Sequence, residues 1–134
     1  MNPHEIDLVT ASAQRLAPVL PDVAHTFYSR LFALYPDLRD AFPAQMEAQE
    51  KKFGDSVAAI VAAIPDFPAF AETSERLARV HVAHRVTASQ YAAVGPVLVD
   101  ALAAHDPAWD AATRDAWAQA YDLLAESMQL SARP

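Results

Sequence analysis

Apolar residues recur at spacings of three and four from one end of the chain to the other, and prolines cut that pattern into pieces. Spacings of three and four follow the 3.6-residue period of a helix. Ile6, Val9, Ala13 and Leu16 form a first stripe, opened by Asn2-Pro3-His4-Glu5 as cap, first turn and third position, and stopped near Pro18. After Pro21, Val23, Phe27, Leu31 and Leu34 form a second. Pro36 and Pro43 bracket a short turn ending in Phe42, which is expected to point inward. From Ala44 the chain is read as helical to Ile64, with Met46, Phe53, Val57, Ile60 and Ile64 on one face. Pro65-Asp-Phe-Pro68 breaks that helix, and Phe70 and Leu77 mark the next.

Thr87 with Gln90 three residues on is a capping box, which opens a helix carrying Tyr91, Val94 and Leu98 as far as about Ala104. Pro96 removes one backbone bond there, so it should kink this helix without ending it. Asp106-Pro107 is read as the cap and first turn of the last helix, whose inward face is Trp117, Tyr121, Leu124 and Met128. Arg133-Pro134 should fray. No segment alternates with period two and only two glycines occur in 134 residues, so strands are not supported. The fold class is all-α: six long helices and a short turn-helix in a single domain, 1–134.

The longest apolar run, between Asp55 and Pro65, falls far short of the ~20 residues that span a bilayer. His4, Glu5 and Asp7 interrupt the first turns, unlike a signal peptide, so the expected location is cytoplasmic. Zero cysteines exclude thiolate metal sites and covalent c-type haem. The formal charge of −7, with no basic stripe, argues against nucleic acid as a partner. No Glu-x-x-His occurs, which removes a di-iron bundle, and His81-x-x-His84 without a nearby acidic ligand is a poor zinc site.

The informative stretch runs from Leu77 to Gly95. His81 is placed near the end of a helix, with Val86 five residues on, Tyr91 ten on, and Val94-Gly95 thirteen and fourteen on. With Phe27-Tyr28-x-x-Leu31-Phe32, Pro36, Phe42, Met46-Glu-Ala-Gln49 and Trp117-x-x-x-Tyr121, it resembles the single-domain bacterial haem globins of the flavohaemoglobin group over nearly the whole chain. The resemblance implies a globin fold around a non-covalent haem b, with His81 as the proximal iron ligand. It implies Tyr28 and Gln49 as distal hydrogen-bond donors, Phe53 as the distal wall and Phe42 packed on the porphyrin.

Physical reasons stand beside the resemblance. Gln49 lies 17 residues before residue 66 and His81 lies 15 after it, so at ~1.5 Å per residue they stand at similar heights on the two arms of a helical hairpin, with room for a planar ligand between. His81 should donate its other ring nitrogen to a carbonyl one turn back, near Leu77, which sets the tautomer. Val86, Tyr91, Val94 and Leu98 suit an apolar lining, and Lys52, Arg79 and Arg85 are candidates for the propionates, although surface cations usually hold nothing specific. Tyr28 has a plainer reading too, as a boundary residue with its hydroxyl in water. Two departures from the family stand out: the position of its late glutamate is Ala132 here, and His84-Arg85 replace a frequent Tyr-Gly.

Reversible oxygen binding is the first functional expectation, with NO and CO as further ligands. Nitric oxide dioxygenation with a separate ferric-globin reductase is the second, since no flavin or nicotinamide domain lies within these residues. A cofactor-free helical interaction module is the third. A globin sensor is less favoured, because no output domain follows the last helix.

Overall fold

The computed structural model describes residues 1–132, and the expected fraying of Arg133-Pro134 lies outside them. Six helices are present: α1 (Pro3–Leu16), α2 (Leu20–Leu34), α3 (Glu47–Ala63), α4 (Phe67–Ala83), α5 (Ala88–His105) and α6 (Ala111–Ser131). Short 3-10 turns, Ala17–Val19 and Pro36–Ala41, fill the intervals on either side of α2. No strand occurs among the described residues, and no single helix there is long and apolar enough to cross a membrane.

Local chemistry sets most boundaries. The Asn2 side chain accepts from the Glu5 N–H at 2.8 Å and opens α1. At Thr87 both halves of the capping box form, the Gln90 N–H reaching Thr87 Oγ1 at 3.2 Å and Gln90 Oε1 accepting from the Thr87 N–H at 2.8 Å. Pro96 sits inside α5, which continues through it to His105. α3 begins at Glu47, later than Ala44, after Arg39 has tied the preceding loop by donating to the carbonyls of Phe42, Pro43 and Ala44.

One cap differs from expectation. The N-cap of α6 is Asp110, whose carboxylate accepts from the Thr113 N–H at 2.8 Å. Asp106 is instead buried, bonded to Arg15 at 2.7 and 2.9 Å and to the Ser12 hydroxyl. Trp117 donates its indole N–H to the same Ser12 oxygen at 2.9 Å, so a polar chain ties α1 to the C-cap of α5 and to α6. A buried carboxylate left without such partners would be strongly unfavourable, and a competing cap was available four residues on.

Two apolar clusters make the core. The larger is built on Val9, Leu16, Val23, Phe27, Tyr28, Leu31, Val97, Val99, Leu102 and Trp117, with Phe42, Phe53, Val94 and Leu98 packed against it. The smaller joins Ala78, Tyr91, Ala125 and Met128, with Leu77, Val86, Tyr121 and Leu124 at its edge. α5 contributes to both. Leu34, expected on the inner face of α2, is 63% exposed because α2 ends there and the chain turns away.

Candidate functional site

The first half of the site stands on α2 and α3. Tyr28 is buried, not at the boundary with its hydroxyl in water, and four aromatic rings enclose it. Phe27, Phe42 and Phe53 meet it edge-on, at centroid distances of 5.0, 5.4 and 5.8 Å, and Phe32 stacks at 5.8 Å. Phe53 in turn stacks on Phe27 at 4.7 Å. Spacing on a single helix brings Phe27, Tyr28, Leu31 and Phe32 together, but the approach of Phe42 depends on Arg39. Its guanidinium lies over the Phe32 ring at 5.3 Å while holding the loop carbonyls. Sequence reasoning missed Arg39, since nothing in its spacing marks a residue that bonds carbonyls three to five positions on.

Gln49 donates from Nε2 to the Tyr28 oxygen at 3.0 Å. This leaves the hydroxyl hydrogen of Tyr28 free to be donated elsewhere. Burial raises the Tyr28 pKa, with the Gln49 bond working the other way, so the phenol stays protonated and remains a donor.

The second half stands on α4 and α5. His81 is half-buried, and its Nδ1 is 2.8 Å from the Leu77 carbonyl, one turn back. A carbonyl can only accept, so Nδ1 carries the hydrogen and the Nε2 lone pair is left as the outward donor. The ring stacks on Tyr91 at 5.8 Å and 23°. Tyr91 is fixed from behind by Tyr121, whose hydroxyl donates to the Tyr91 carbonyl at 2.7 Å and whose ring lies against Gly95. The sequence marked Tyr121 through the inward face of α6 and the Trp117-x-x-x-Tyr121 pattern, but not its bond to Tyr91.

α4 ends just beyond His81 in a left-handed turn. Arg85 has φ 57°, the Arg85 N–H reaches the Val82 carbonyl at 2.9 Å, and the Val86 N–H reaches the His81 carbonyl at 3.1 Å. This pair of bonds is the Schellman motif, which usually has glycine where Arg85 stands. It folds Val86 back onto Leu77, Ala78 and Tyr91 beside the imidazole.

The expected lining residues fall on both clusters: Phe42, Phe53, Val94 and Leu98 on the larger, Val86 and Tyr91 on the smaller. The three expected cations are exposed, with Arg79 4.0 Å from Glu75 on its own helix. Ala132 brings no carboxylate to Tyr91. Asp122 and Glu126 line an open groove of about 330 Å³ together with Tyr91 and Tyr121. His84, the C-cap of α4, is exposed.

An imidazole donor on α4, a protonated phenol on α2 bonded to an amide on α3, and apolar side chains from α2, α3 and α5 suit an iron porphyrin. Among the described residues no group of three metal-ligating side chains occurs, so a site with several protein ligands is absent there. The Globin family model matches residues 25–128, which takes in Tyr28, Gln49, His81, Tyr91 and Tyr121. The chain belongs to the globin family.

The globin is 33% identical over 134 residues to a flavohemoprotein of Deinococcus radiodurans, covering 96% of this chain and 33% of that protein. A Bordetella pertussis flavohemoprotein is 34% identical over 128 residues, covering 88% and 31%. The chain therefore spans about a third of the length of these relatives. Among solved structures, a bacterial globin from Campylobacter jejuni superposes with a TM-score of 0.83 at 22% identity, covering 98% of this chain and 96% of that one. A Drosophila melanogaster globin gives 0.87 at 17% identity, covering 97% and 94%. At those identities the superpositions establish the fold.

Proposed function

We propose that this globin binds haem b without a covalent bond and binds oxygen reversibly, with His81 as the axial iron ligand and Tyr28 and Gln49 as distal donors. The observation that carries the reading is the His81 imidazole. Its Nδ1 is committed to the Leu77 carbonyl at 2.8 Å, so its Nε2 lone pair is the one presented to a metal. Haem, when bound, supplies a ferrous iron with one coordination position open to a diatomic ligand. Gln49 holds the Tyr28 oxygen, which orients the hydroxyl as a donor toward a ligand that carries partial negative charge. Each such bond is worth about 0.5–1.5 kcal/mol, up to roughly tenfold in affinity. CO carries less charge than oxygen and gains less from it.

Phe42, Phe53, Val86, Tyr91, Val94 and Leu98 supply apolar surface for the macrocycle, and Lys52, Arg79 and Arg85 supply cations for its two carboxylates. The decisive measurement is the visible spectrum of the purified protein, reduced, with and without oxygen and CO. His81→Ala should lose most of the haem and His84→Ala should keep it. Full retention in His81→Ala with an unchanged ferrous spectrum overturns the assignment, and a wild-type protein with no Soret band returns the chain to a cofactor-free helical module.

The flavohemoprotein relatives favour a second reading, nitric oxide dioxygenation with electrons from a separate reductase. The oxygenated 134-residue chain mixed with NO should then give one equivalent of nitrate and stop in the ferric state when NADH is the only addition. Multiple turnovers without a reductase would make the enzymatic reading primary.

A further inference from the structure

Gln49 stands in the first turn of α3, and little within that turn holds it in place. The helix opens at Met46 with no side-chain cap bond, and Arg39 secures the preceding loop only as far as the Ala44 carbonyl. Gln49 is also the third residue after the cap, a position from which a glutamine side chain can turn back to the backbone N–H of the capping residue. It reaches Tyr28 instead, at 3.0 Å. Its neighbour Glu50 makes the other polar side-chain bond that joins α2 to α3 among the described residues. Glu50 Oε1 accepts from His25 Nδ1 at 3.1 Å. His25 and Tyr28 are three residues apart, so the two bonds leave one face of α2 a turn apart. The His25 side chain is 76% exposed and that of Glu50 18%, while Tyr28 is buried, so the second bond lies on the solvent side of the first.

We propose that Glu50, pinned by His25, is a positioning residue for oxygen: it fixes the first turn of α3 so that Gln49 meets Tyr28 and the phenol hydrogen is aimed at a bound ligand. The inference rests on the oxygen-binding reading given above. With Glu50 tied to α2, the backbone of Gln49 is held one residue away, and only its side-chain rotamers remain to be ordered. Without the tie, the turn opens at the cost of a few surface bonds, the first being the Glu50 N–H to the Met46 carbonyl at 2.8 Å. Gln49 then divides its time between Tyr28, the capping position and water. The Tyr28 hydroxyl, no longer held through its oxygen, rotates, and a donor that is not oriented gives up part of its bond to a partly negative ligand. Exposed ion pairs usually contribute little to stability. Lys51 and Asp55 show that plain case, 3.1 Å apart, 77% and 69% exposed, and joining α3 only to itself. The His25–Glu50 pair differs in bridging two helices at the residue next to a distal donor, where its modest energy decides the conformation of one turn.

The test measures oxygen and CO dissociation from the ferrous, haem-loaded protein by stopped flow, together with amide hydrogen exchange from Glu50 to Phe53, which needs no bound gas. His25→Ala and Glu50→Ala should each speed oxygen release about two- to fivefold, less than Gln49→Leu does, and CO release by less than about 1.5-fold. The double variant should release oxygen no faster than Glu50→Ala alone, because both remove the same contact. Glu50→Gln keeps an acceptor oxygen for His25 Nδ1 and should bring oxygen release back to within about 1.5-fold of wild type, which a carboxylate acting only through its charge would not allow. Exchange of the Glu50 to Phe53 amides should quicken at least about threefold in both alanine variants and stay at the wild-type rate in Glu50→Gln. Lys51→Ala, which breaks the ion pair within α3, should leave oxygen release unchanged. Wild-type oxygen release in Glu50→Ala, equal acceleration of oxygen and CO, or failure of Glu50→Gln to restore release overturns the proposal. Absence of a Soret band sinks the haem reading; a haem-loaded protein in which Gln49→Leu speeds oxygen release and Glu50→Ala does not sinks only the role of Glu50.

Discussion

The two glycines of this chain should respond to alanine with opposite signs. Both lie inside helices, where replacing glycine by alanine gains about 1 kcal/mol through backbone entropy alone. At Gly54 a new Cβ would meet the Leu20 Cβ at 3.6 Å, an ordinary contact, so the gain should survive as about 0.5–1 kcal/mol. At Gly95 the Cβ would come within 2.9 and 3.0 Å of two Tyr121 ring carbons. That ring cannot swing aside cheaply, because its hydroxyl donates to the Tyr91 carbonyl at 2.7 Å. Overpacking costs about 1–3 kcal/mol and a lost hydrogen bond about 0.5–1.5 kcal/mol, against the same helical gain. Gly95→Ala should therefore destabilise by about 1–3 kcal/mol. Urea unfolding measures both, read as a shift in midpoint at unchanged slope. The double variant Gly95→Ala/Tyr121→Ala isolates the contact: in the Tyr121→Ala background, Gly95→Ala should become stabilising. If Gly95→Ala stabilises the protein in the presence of Tyr121, the reasoning fails, since the ring must then have yielded without loss.

Asp106 gives a pH dependence. Burial alone would raise its pKa, but bonds from Arg15, Ser12 and the Ala108 N–H outweigh burial and hold it at about 2. A carboxyl depressed in the folded state stabilises above its unfolded value, near 3.8, and loses that contribution as pH falls toward 2. Unfolding free energy should thus drop by roughly 2 kcal/mol between about pH 5 and 2 from this group, and Asp106→Asn should flatten that part of the profile. Arg85→Gly should raise stability by about 0.5–1 kcal/mol in thermal unfolding, because arginine at φ 57° is strained where glycine is not. Arg85→Ala should give no such gain. Tyr28→Phe removes a donor and little volume, so stopped-flow measurement should show oxygen dissociating up to about tenfold faster with CO affinity changed much less; equal effects on both ligands would point to a steric role.

What could be read from the sequence was whatever depends on neighbours within one or two turns. Thr87 and Gln90 cap each other across three residues, and His81 finds the Leu77 carbonyl across four. Such bonds form wherever the helix forms. Asp106 shows the limit. Asp-Pro is a sound helix start, yet the carboxylate is claimed by Arg15, 91 residues away, and Asp110 takes the cap. Arg39 escaped notice for the same reason, as did the bond from Tyr121 to the Tyr91 carbonyl: each matters through the place to which folding brings it. Arg85 is different again, because a left-handed residue that is not glycine leaves no trace in composition or spacing.

The division of the core into two clusters bears on how a bound cofactor would leave. α4 buries only Thr73, Ser74 and Ala78, two of them polar, so the helix that carries His81 contributes little to the apolar interior. Its hold on the rest is the smaller cluster, whereas Tyr28 and its aromatic ring belong to the larger. Elements with few buried apolar contacts open more readily than the molecule unfolds. Release of haem would then follow the lifting of α4 from α6 while α1, α2 and α5 stay folded. The lifetime of the loaded protein would be set by Ala78, Val86, Ala125 and Met128, and would be nearly indifferent to Val23 or Leu102, which decide whether the chain folds at all.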